Sequence, residues 1–363
     1  MGVFGCSTDA RELEELAPSV STGWMGNGPK VKEFERVFGE WVGADFAMVN
    51  SGSSALHAAV AALDLPQKSE VVVPSFTWVA CAHAIVLAGH RPVFADVELD
   101  TQNLDPESVA HVRSRRTGAI MVVHYAGLPA RMADLMQLGF PIIEDAAHAV
   151  DSAIDGRRCG TFADVGIYSF DSVKNLATPD GGGVTSPSPE VMARVRSMRY
   201  CGLSGAGFSR AAEGGRWWEA EIDHIFPKVL PNDLSASIGL VQLRKLAAHQ
   251  ARRREIWDRY AEELAGLDWL ALPKGGAPHD RHSYFTYFVR VLDGRRDRLA
   301  AVLLEEGIYT TLRFAPLHRS PIFGSRAVLP VTDRLAEEGL NLPLHPALSD
   351  ADQERVIDAV RRF

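Results

Sequence analysis

The sequence predicts an α/β fold. A large domain with a mostly parallel sheet flanked by helices is expected over residues 1–239, and a smaller C-terminal α+β domain over residues 240–363. Three observations predict this. Helical and strand-like patterns alternate along the first two thirds of the chain. The segments AIMVVHYAG, PIIEDAA and VGIYSF are continuous apolar runs, which suit strands covered on both faces by helices. The alternation then stops at one long helical stretch, LSASIGLVQLRKLAAHQARRREIWDRYAEEL, which bridges to a region of different pattern.

Taken in order, PKVKEFERVFGEWVG places Val31, Phe34, Val37, Phe38 and Trp41 at helical spacing, with Gly43 as its stop. SALHAAVAALDL is a second helix, rich in alanine. EVVVPSF is a short β-branched run ended by Pro74, and AIVLAGHRPVFADV ends in a further strand. On the long helix Ile238, Leu240, Leu243, Leu246, Trp257 and Tyr260 form the apolar side. Beyond it YFTYFVRVL alternates like a strand, and DRLAAVLLEEGI and DADQERVIDAVRRF read as helices.

The bulk numbers exclude several classes. Of 363 residues, 46% are hydrophobic and 23% charged, as in a globular protein with a sizeable core. A net charge of −8 argues against a nucleic-acid partner, yet leaves room for a few local cations on an anionic small substrate. No apolar run reaches the length of a membrane span, and the first residues show no secretory leader, so a cytoplasmic protein is expected. Cys6, Cys81, Cys159 and Cys201 are far apart, and the twelve histidines show no ligand spacing, so no metal is expected.

In open α/β sheets ligands bind at the carboxyl ends of strands. Four strand ends here carry unusual residues. After FAMVNSG comes SGSSAL, where Gly52 and Ser53 open a helix whose N–H groups favour an anion; taken alone, the motif reads first as an ordinary helix cap. PSFTWVA offers Trp78, either a core aromatic or a stacking platform. PIIEDAAHA ends a buried strand with Glu144, Asp145 and His148, an arrangement that needs partners. YSFDSVKN puts Ser169 and Lys174 beyond the fourth strand. A flat, phosphorylated pyridine aldehyde, pyridoxal 5'-phosphate, would use all four. It needs an anion seat, an aromatic lid, a carboxylate for its ring nitrogen and an amine for its aldehyde. Gly181, Gly182 and Gly183 would let backbone approach it closely.

With these residues in order, the chain resembles the DegT/DnrJ/StrS-type sugar aminotransferases, of pyridoxal-phosphate-dependent transferase fold type I. The resemblance spans nearly the full length, from TGWMGNGPKVKEFE through NSGSSALHAAV, EDAAHA and YSFDSVKN to LRFAPLH and LNLPLHPALSDAD. It implies that Lys174 bonds the cofactor aldehyde and that Asp145 pairs with the pyridine nitrogen. It places His148 near the ring hydroxyl, Trp78 on the ring, and Gly52, Ser53 and Ser169 at the phosphate. Gly26 and Asn27 fall in a substrate-side loop. Lys228, in IFPKVLPND, matches a lysine that reaches the neighbouring subunit's cofactor phosphate, although its usual flanking glycine and tyrosine are missing. PDGG, with Pro179 and Asp180, stands where the family often has GEGG. Arg313 stands where a histidine is common, to bind either a substrate anion or a carboxylate of the protein. Lys30, Arg199, Lys228 and Arg313 are the candidate cations for a diphosphate.

The implied activity is transfer of an amino group from glutamate or glutamine to a keto sugar, foremost a nucleotide-linked 4-keto-6-deoxyhexose. A 3-keto sugar or keto-cyclitol is the alternative substrate, and a non-catalytic sensor on the same fold the alternative class. The resemblance further implies amino-sugar biosynthesis for antibiotics or polysaccharides, and a homodimer with shared active sites.

Overall fold

The computed structural model describes residues 1–204 and 218–363. Its centre is a seven-stranded sheet built from β1 (Phe46–Val49), β2 (Glu70–Pro74), β3 (Arg91–Ala95), β4 (Thr117–Val123), β5 (Ile142–Asp145), β6 (Val165–Ser169) and β7 (Gly182–Thr185). The spatial order is β1-β7-β6-β5-β4-β2-β3. β7 alone runs antiparallel to its neighbours; the other strands point the same way. The continuous apolar runs are the central strands, and β4 and β5 lose nearly all contact with water because helices cover both faces.

Four helices matter for the site: α1 (Ala10–Ser21), α2 (Pro29–Val42), α3 (Gly52–Ala62) and α4 (Ala80–Leu87). α2 follows the expected spacing, burying Val31, Phe34 and Phe38, and Gly43 ends it at φ 79°, where a side chain would be strained. Asp233 of the long helix takes the N–H groups of Gly28 and Val31 at 3.0 Å each, so one helix's first residue caps another's start.

Of the glycines Gly181–Gly183, the last two are also required by packing. Gly182 and Gly183 lie inside β7. A Cβ on Gly182 would sit 2.6 Å from the Ser51 carbonyl, and one on Gly183 would meet the Phe46 ring. The absent side chains let β7 slide under the start of α3, which holds that helix end at the sheet edge.

The long helix spans Asp233–Glu263 without a break. The division expected at residues 239/240 therefore falls inside it. Ala236, Leu240 and Leu246 pack with α2 and the central sheet. Ile256, Trp257 and Tyr260 belong to a second core, built around the strands Tyr287–Val291 and Gly339–Leu342 and the helix Asp350–Arg362. The first residues of the chain join that second unit, with Leu344 N–H donating to the Val3 carbonyl at 3.0 Å. Among the described residues, no helix is long and apolar enough to cross a membrane.

Candidate active site

Parallel strands in register bring their carboxyl ends to one edge. Val123 lies beside Asp145 and Asp145 beside Ile167, and the antiparallel β7 brings its start, Gly182, beside Ser169. A cavity of about 320 Å³ opens there. Its wall includes Gly52, Ser53, Trp78, Asp145, His148, Ser169, Lys174 and Arg313. Residues far apart in the chain, one or two from each strand end, thus share one space.

The helix start of α3 forms one end. Ser51 caps it, its hydroxyl accepting the Ser54 N–H at 3.1 Å. The N–H groups of the first turn otherwise point out along the helix axis, with the positive end of the dipole. Ser169 stands against Gly52, where a Cβ would lie 2.6 Å from the serine Cβ. Glycine at this position keeps hydroxyl and helix end close enough to share one anion.

Asp145 is buried at the cavity floor. The Ala147 N–H donates to Oδ1 at 2.9 Å and the Cys81 thiol to Oδ2 at 3.3 Å. Burial raises its proton affinity; the Ala147 N–H, the thiol and the Lys174 cation oppose the rise. Glu144, one residue earlier, faces away, as alternate strand residues do. Its carboxylate accepts from Phe162 N–H at 2.8 Å, Gly160 N–H at 2.5 Å and His124 Nε2 at 2.9 Å. The Ala130 N–H occupies His124 Nδ1 at 2.9 Å. Glu144 and His124 stand close enough to Cys159 to share a metal ion, but both Glu144 oxygens already accept from the Gly160 and Phe162 N–H groups and His124 Nδ1 from Ala130.

Lys174 leaves a tight turn after β6, with its N–H on the Asp171 carbonyl at 2.8 Å and Val173 N–H on the Asp171 carboxylate at 3.0 Å. Its ammonium sits 4.7 Å from the centroid of Phe285. Burial, and next the Arg313 charge, push its pKa down to about 8. Half of such amines are free near neutral pH's upper edge, as a nucleophile requires. Asn175, the next residue, donates to Gln250 at 3.1 Å and to the Ser283 carbonyl at 2.5 Å. Ser283 in turn donates to the His148 carbonyl at 2.6 Å. This clamp seats Phe285 flat against His148, with centroids 4.1 Å apart and planes at 16°. His148 is held neutral by burial and by the two nearby cations, and its Nδ1 is buried without a partner. Trp78 remains 55% exposed at the mouth, its ring 5.7 Å from Phe314.

Other expected residues lie elsewhere. Gly26 and Asn27 are exposed in the loop before α2, outside the cavity wall of their own chain. Lys30 does not reach the cavity; Glu15 and Glu33 hold its ammonium at 2.6 and 3.0 Å. Arg199 is paired with Glu35 and donates to the Met48 carbonyl. Lys228 is exposed and does not line the cavity, although its neighbour Val229 accepts the Asn50 N–H at 3.0 Å, next to the start of α3. Asp180, from the PDGG variant of the loop, lines the cavity and accepts the Gly181 N–H at 2.8 Å.

Sequence reasoning missed Cys81, Phe285, Phe314 and Phe4. Cys81 carried one local signal, its helical spacing from Thr77, whose hydroxyl lies 3.3 Å from the thiol. Phe285 and Phe4 carried none, because they arrive from the second unit and from the first residues of the chain.

Fold and cavity together define a transferase of pyridoxal-phosphate fold type I, the class whose members carry a lysine, a carboxylate and a helix start at one sheet edge. Residues 7–361 match the DegT/DnrJ/EryC1/StrS aminotransferase family, and the chain belongs to it. It is 37% identical to the dTDP-4-dehydro-2,3,6-trideoxy-D-glucose 4-aminotransferase of Saccharopolyspora spinosa, over 97% of this chain and 93% of that protein. Its fold is similar to that of the aminotransferase TlmJ from Streptoalloteichus hindustanus, with TM-score 0.94, 40% identity, and coverage of 99% and 97%. It is also similar to S. venezuelae DesV in complex with a ketimine intermediate, with TM-score 0.88, 32% identity, and coverage of 97% and 94%. The protein is an enzyme, an aminotransferase of sugars.

Proposed function

We propose that this protein binds pyridoxal 5'-phosphate and moves an amino group from glutamate or glutamine to the ketone of a nucleotide-linked 4-keto-6-deoxyhexose. One observation carries the cofactor: a lysine with a lowered pKa, a buried carboxylate, an orphaned imidazole nitrogen and a glycine-tight helix start all face one cavity. The Saccharopolyspora relative, named for a 4-keto trideoxyhexose carried on dTDP, supports the substrate.

When bound, pyridoxal phosphate supplies a ring that accepts the electron pair left on carbon when a proton departs. Gly52, Ser53 and Ser169 would hold its phosphate at the start of α3. Asp145 would face the ring nitrogen and keep a proton there, and His148 Nδ1 would find its missing partner at the ring's edge. Trp78 would cover the open face and exclude water. Lys174 would hold the aldehyde through Nζ, leave when the donor's amine arrives, and then carry the proton between carbon atoms. The same amine serves both halves of the transfer.

We further propose a homodimer. Trp24 and Met25, flanking Gly26 and Asn27, are 55% and 50% exposed, an apolar edge that suits a covering subunit. Gly26, Asn27 and Lys228 would then serve the neighbour's cavity. The four cysteines are unpaired, which suits the cytoplasm.

Purified protein supplied with the cofactor is expected to absorb in the visible, and Lys174→Ala to lose that band. A wild type that stays colourless would overturn the reading. Offered a panel of ketones with glutamate, the protein is expected to aminate the 4-keto nucleotide sugar; turnover confined to a 3-keto sugar or a keto-cyclitol would overturn the substrate.

A further inference from the structure

Arg253 is the largest side chain among the described residues to lie wholly out of water, with 1% of it exposed. It stands on the long helix Asp233–Glu263. Its Nη1 donates to three backbone carbonyls: Leu344 at 3.1 Å, Tyr284 at 3.3 Å and Phe285 at 3.4 Å. Its Nε is buried without a partner. Burial lowers its pKa to about 9, so the group is still a cation at neutral pH. A buried charge is costly, and an apolar side chain of similar volume would serve packing as well or better. The cation is explained by what its carbonyls belong to.

They belong to a strained loop. Tyr284 has φ 50°, a left-handed conformation that a bulky residue adopts only when its surroundings impose it. One helical turn before Arg253, Gln250 Nε2 donates to the Ser283 carbonyl at 3.0 Å. Two side chains on one helix face thus take the carbonyls of Ser283, Tyr284 and Phe285 in succession. The Phe285 N–H donates to the Ala126 carbonyl at 2.9 Å, which fixes the residue from its other side. The ring held in this way touches two cavity groups at once. The Lys174 ammonium is 4.7 Å from its centroid, and the His148 imidazole is stacked on it at 4.1 Å. We infer that Arg253 is a positioning residue for the amino transfer: it sets the Phe285 ring against which the Lys174 amine and the His148 imidazole are aligned. The inference rests on the transfer proposed above, in which both groups work. Arg253 itself does not line the cavity and acts through that one ring. A ring that shifts takes both groups with it, and a misplacement of about 1 Å at a reacting amine costs up to roughly 100-fold in rate.

The test uses cofactor-loaded wild type, Arg253→Met, Arg253→Lys, Phe285→Leu, the double variant Arg253→Met with Phe285→Leu, and Tyr260→Phe. The last loses a hydrogen bond of the same core, from its hydroxyl to the Pro343 carbonyl at 3.0 Å. Arg253→Met is expected to lower kcat roughly 10- to 100-fold, with the KM for both substrates within about twofold of wild type. Arg253→Lys, which keeps donors for the carbonyls, is expected to recover part of the loss. Phe285→Leu should be as slow, and the double variant no slower than the slower single one, because the two changes break one chain of contacts. The pH at which cofactor uptake levels off should rise by about half a unit or more in Arg253→Met, since a loosened ring admits water to the amine. The groups facing that amine, Arg313, Asp145, Asp171, Cys81 and His148, are unchanged by these substitutions. Tyr260→Phe is expected to lose stability in urea while keeping kcat and the pH profile. Wild-type kcat in Arg253→Met would overturn the inference. So would losses that multiply in the double variant, or a kcat and pH profile that move as far in Tyr260→Phe, since either makes Arg253 a packing residue. Should Arg253→Met not fold, Arg253→Lys and Phe285→Leu carry the same cycle. A wild type that takes no colour from the cofactor would sink the functional reading; a coloured, active wild type whose Arg253 variants keep its rate sinks this inference alone.

Discussion

The thiol of Cys81 donates to Oδ2 of Asp145 across 3.3 Å, from the first turn of α4 to the end of β5, and both groups are buried. Burial and the neighbouring carboxylate push the thiol's pKa well up, so it stays protonated and can only donate to Asp145. It therefore helps keep that carboxyl ionised, which is the form a protonated pyridine nitrogen needs. Cys81→Ala is expected to weaken cofactor binding about fivefold, the worth of one modest hydrogen bond near 1 kcal/mol. Cys81→Ser should restore most of it. A fluorescence titration of cofactor into the apo-protein measures both, and equal affinities for all three proteins would show that the thiol only fills space.

Lys174 titrates near pH 8 where an ordinary lysine titrates at 10.5. Only the free amine attacks the aldehyde, so the rate of cofactor uptake should rise with pH and level off above about 8. In Arg313→Met, with one nearby cation gone, the rise should move to higher pH. Stability carries the same signature. Between pH 8 and 10.5 the unfolded chain holds a proton that the cofactor-free fold lacks, so stability increases with pH across that window. Lys174→Met should remove this slope in urea titrations, and a slope unchanged in the variant would assign it to other groups.

Gly52→Ala adds a methyl where Ser169 already stands, 2.6 Å from Cβ to Cβ. Alanine is the better helix former by about 1 kcal/mol, so a helix seen in isolation would gain. Here the start of α3 must shift from the serine instead, at about 1–3 kcal/mol. The expected outcome is a lower melting temperature together with at least tenfold weaker cofactor binding, read by thermal denaturation and by titration. Unchanged cofactor affinity would separate this helix start from the phosphate seat.

Asp96, just past β3, caps a helix from a distant part of the chain. Its carboxylate accepts the N–H of Val331 at 2.9 Å, the N–H of Thr332 at 2.7 Å and the Thr332 hydroxyl at 2.7 Å. The helix Pro330–Glu338 has no side-chain cap of its own. Asp96→Ala should cost about 2–4 kcal/mol in urea unfolding, a lost cap plus buried donors left unmatched. A cost below about 0.5 kcal/mol, the level of an ordinary surface change, would contradict this account.

The sequence by itself determined the strands and the residues at their ends. A run such as PIIEDAA suits a strand covered on both faces, and polar groups at its end point to a site, so Asp145, Ser169 and Lys174 stand out as candidates without coordinates. The long helix and the stop at Gly43 follow from local periodicity and local backbone freedom in the same way. Only the tertiary structure decided which cations serve the cavity. Lys30, Arg199 and Arg313 read alike as charges in the chain; folding hands the first to Glu15 and Glu33 and the second to Glu35, and sets the third in the cavity wall over the ring of Phe4. It likewise turned the glycines of β7 into a packing device for α3, and set Cys81 beside a carboxylate 64 residues away. The physical reason is range. Periodicity and capping act over a few residues and leave a mark on the sequence, whereas ion pairs and close packing join residues whose separation along the chain carries no pattern.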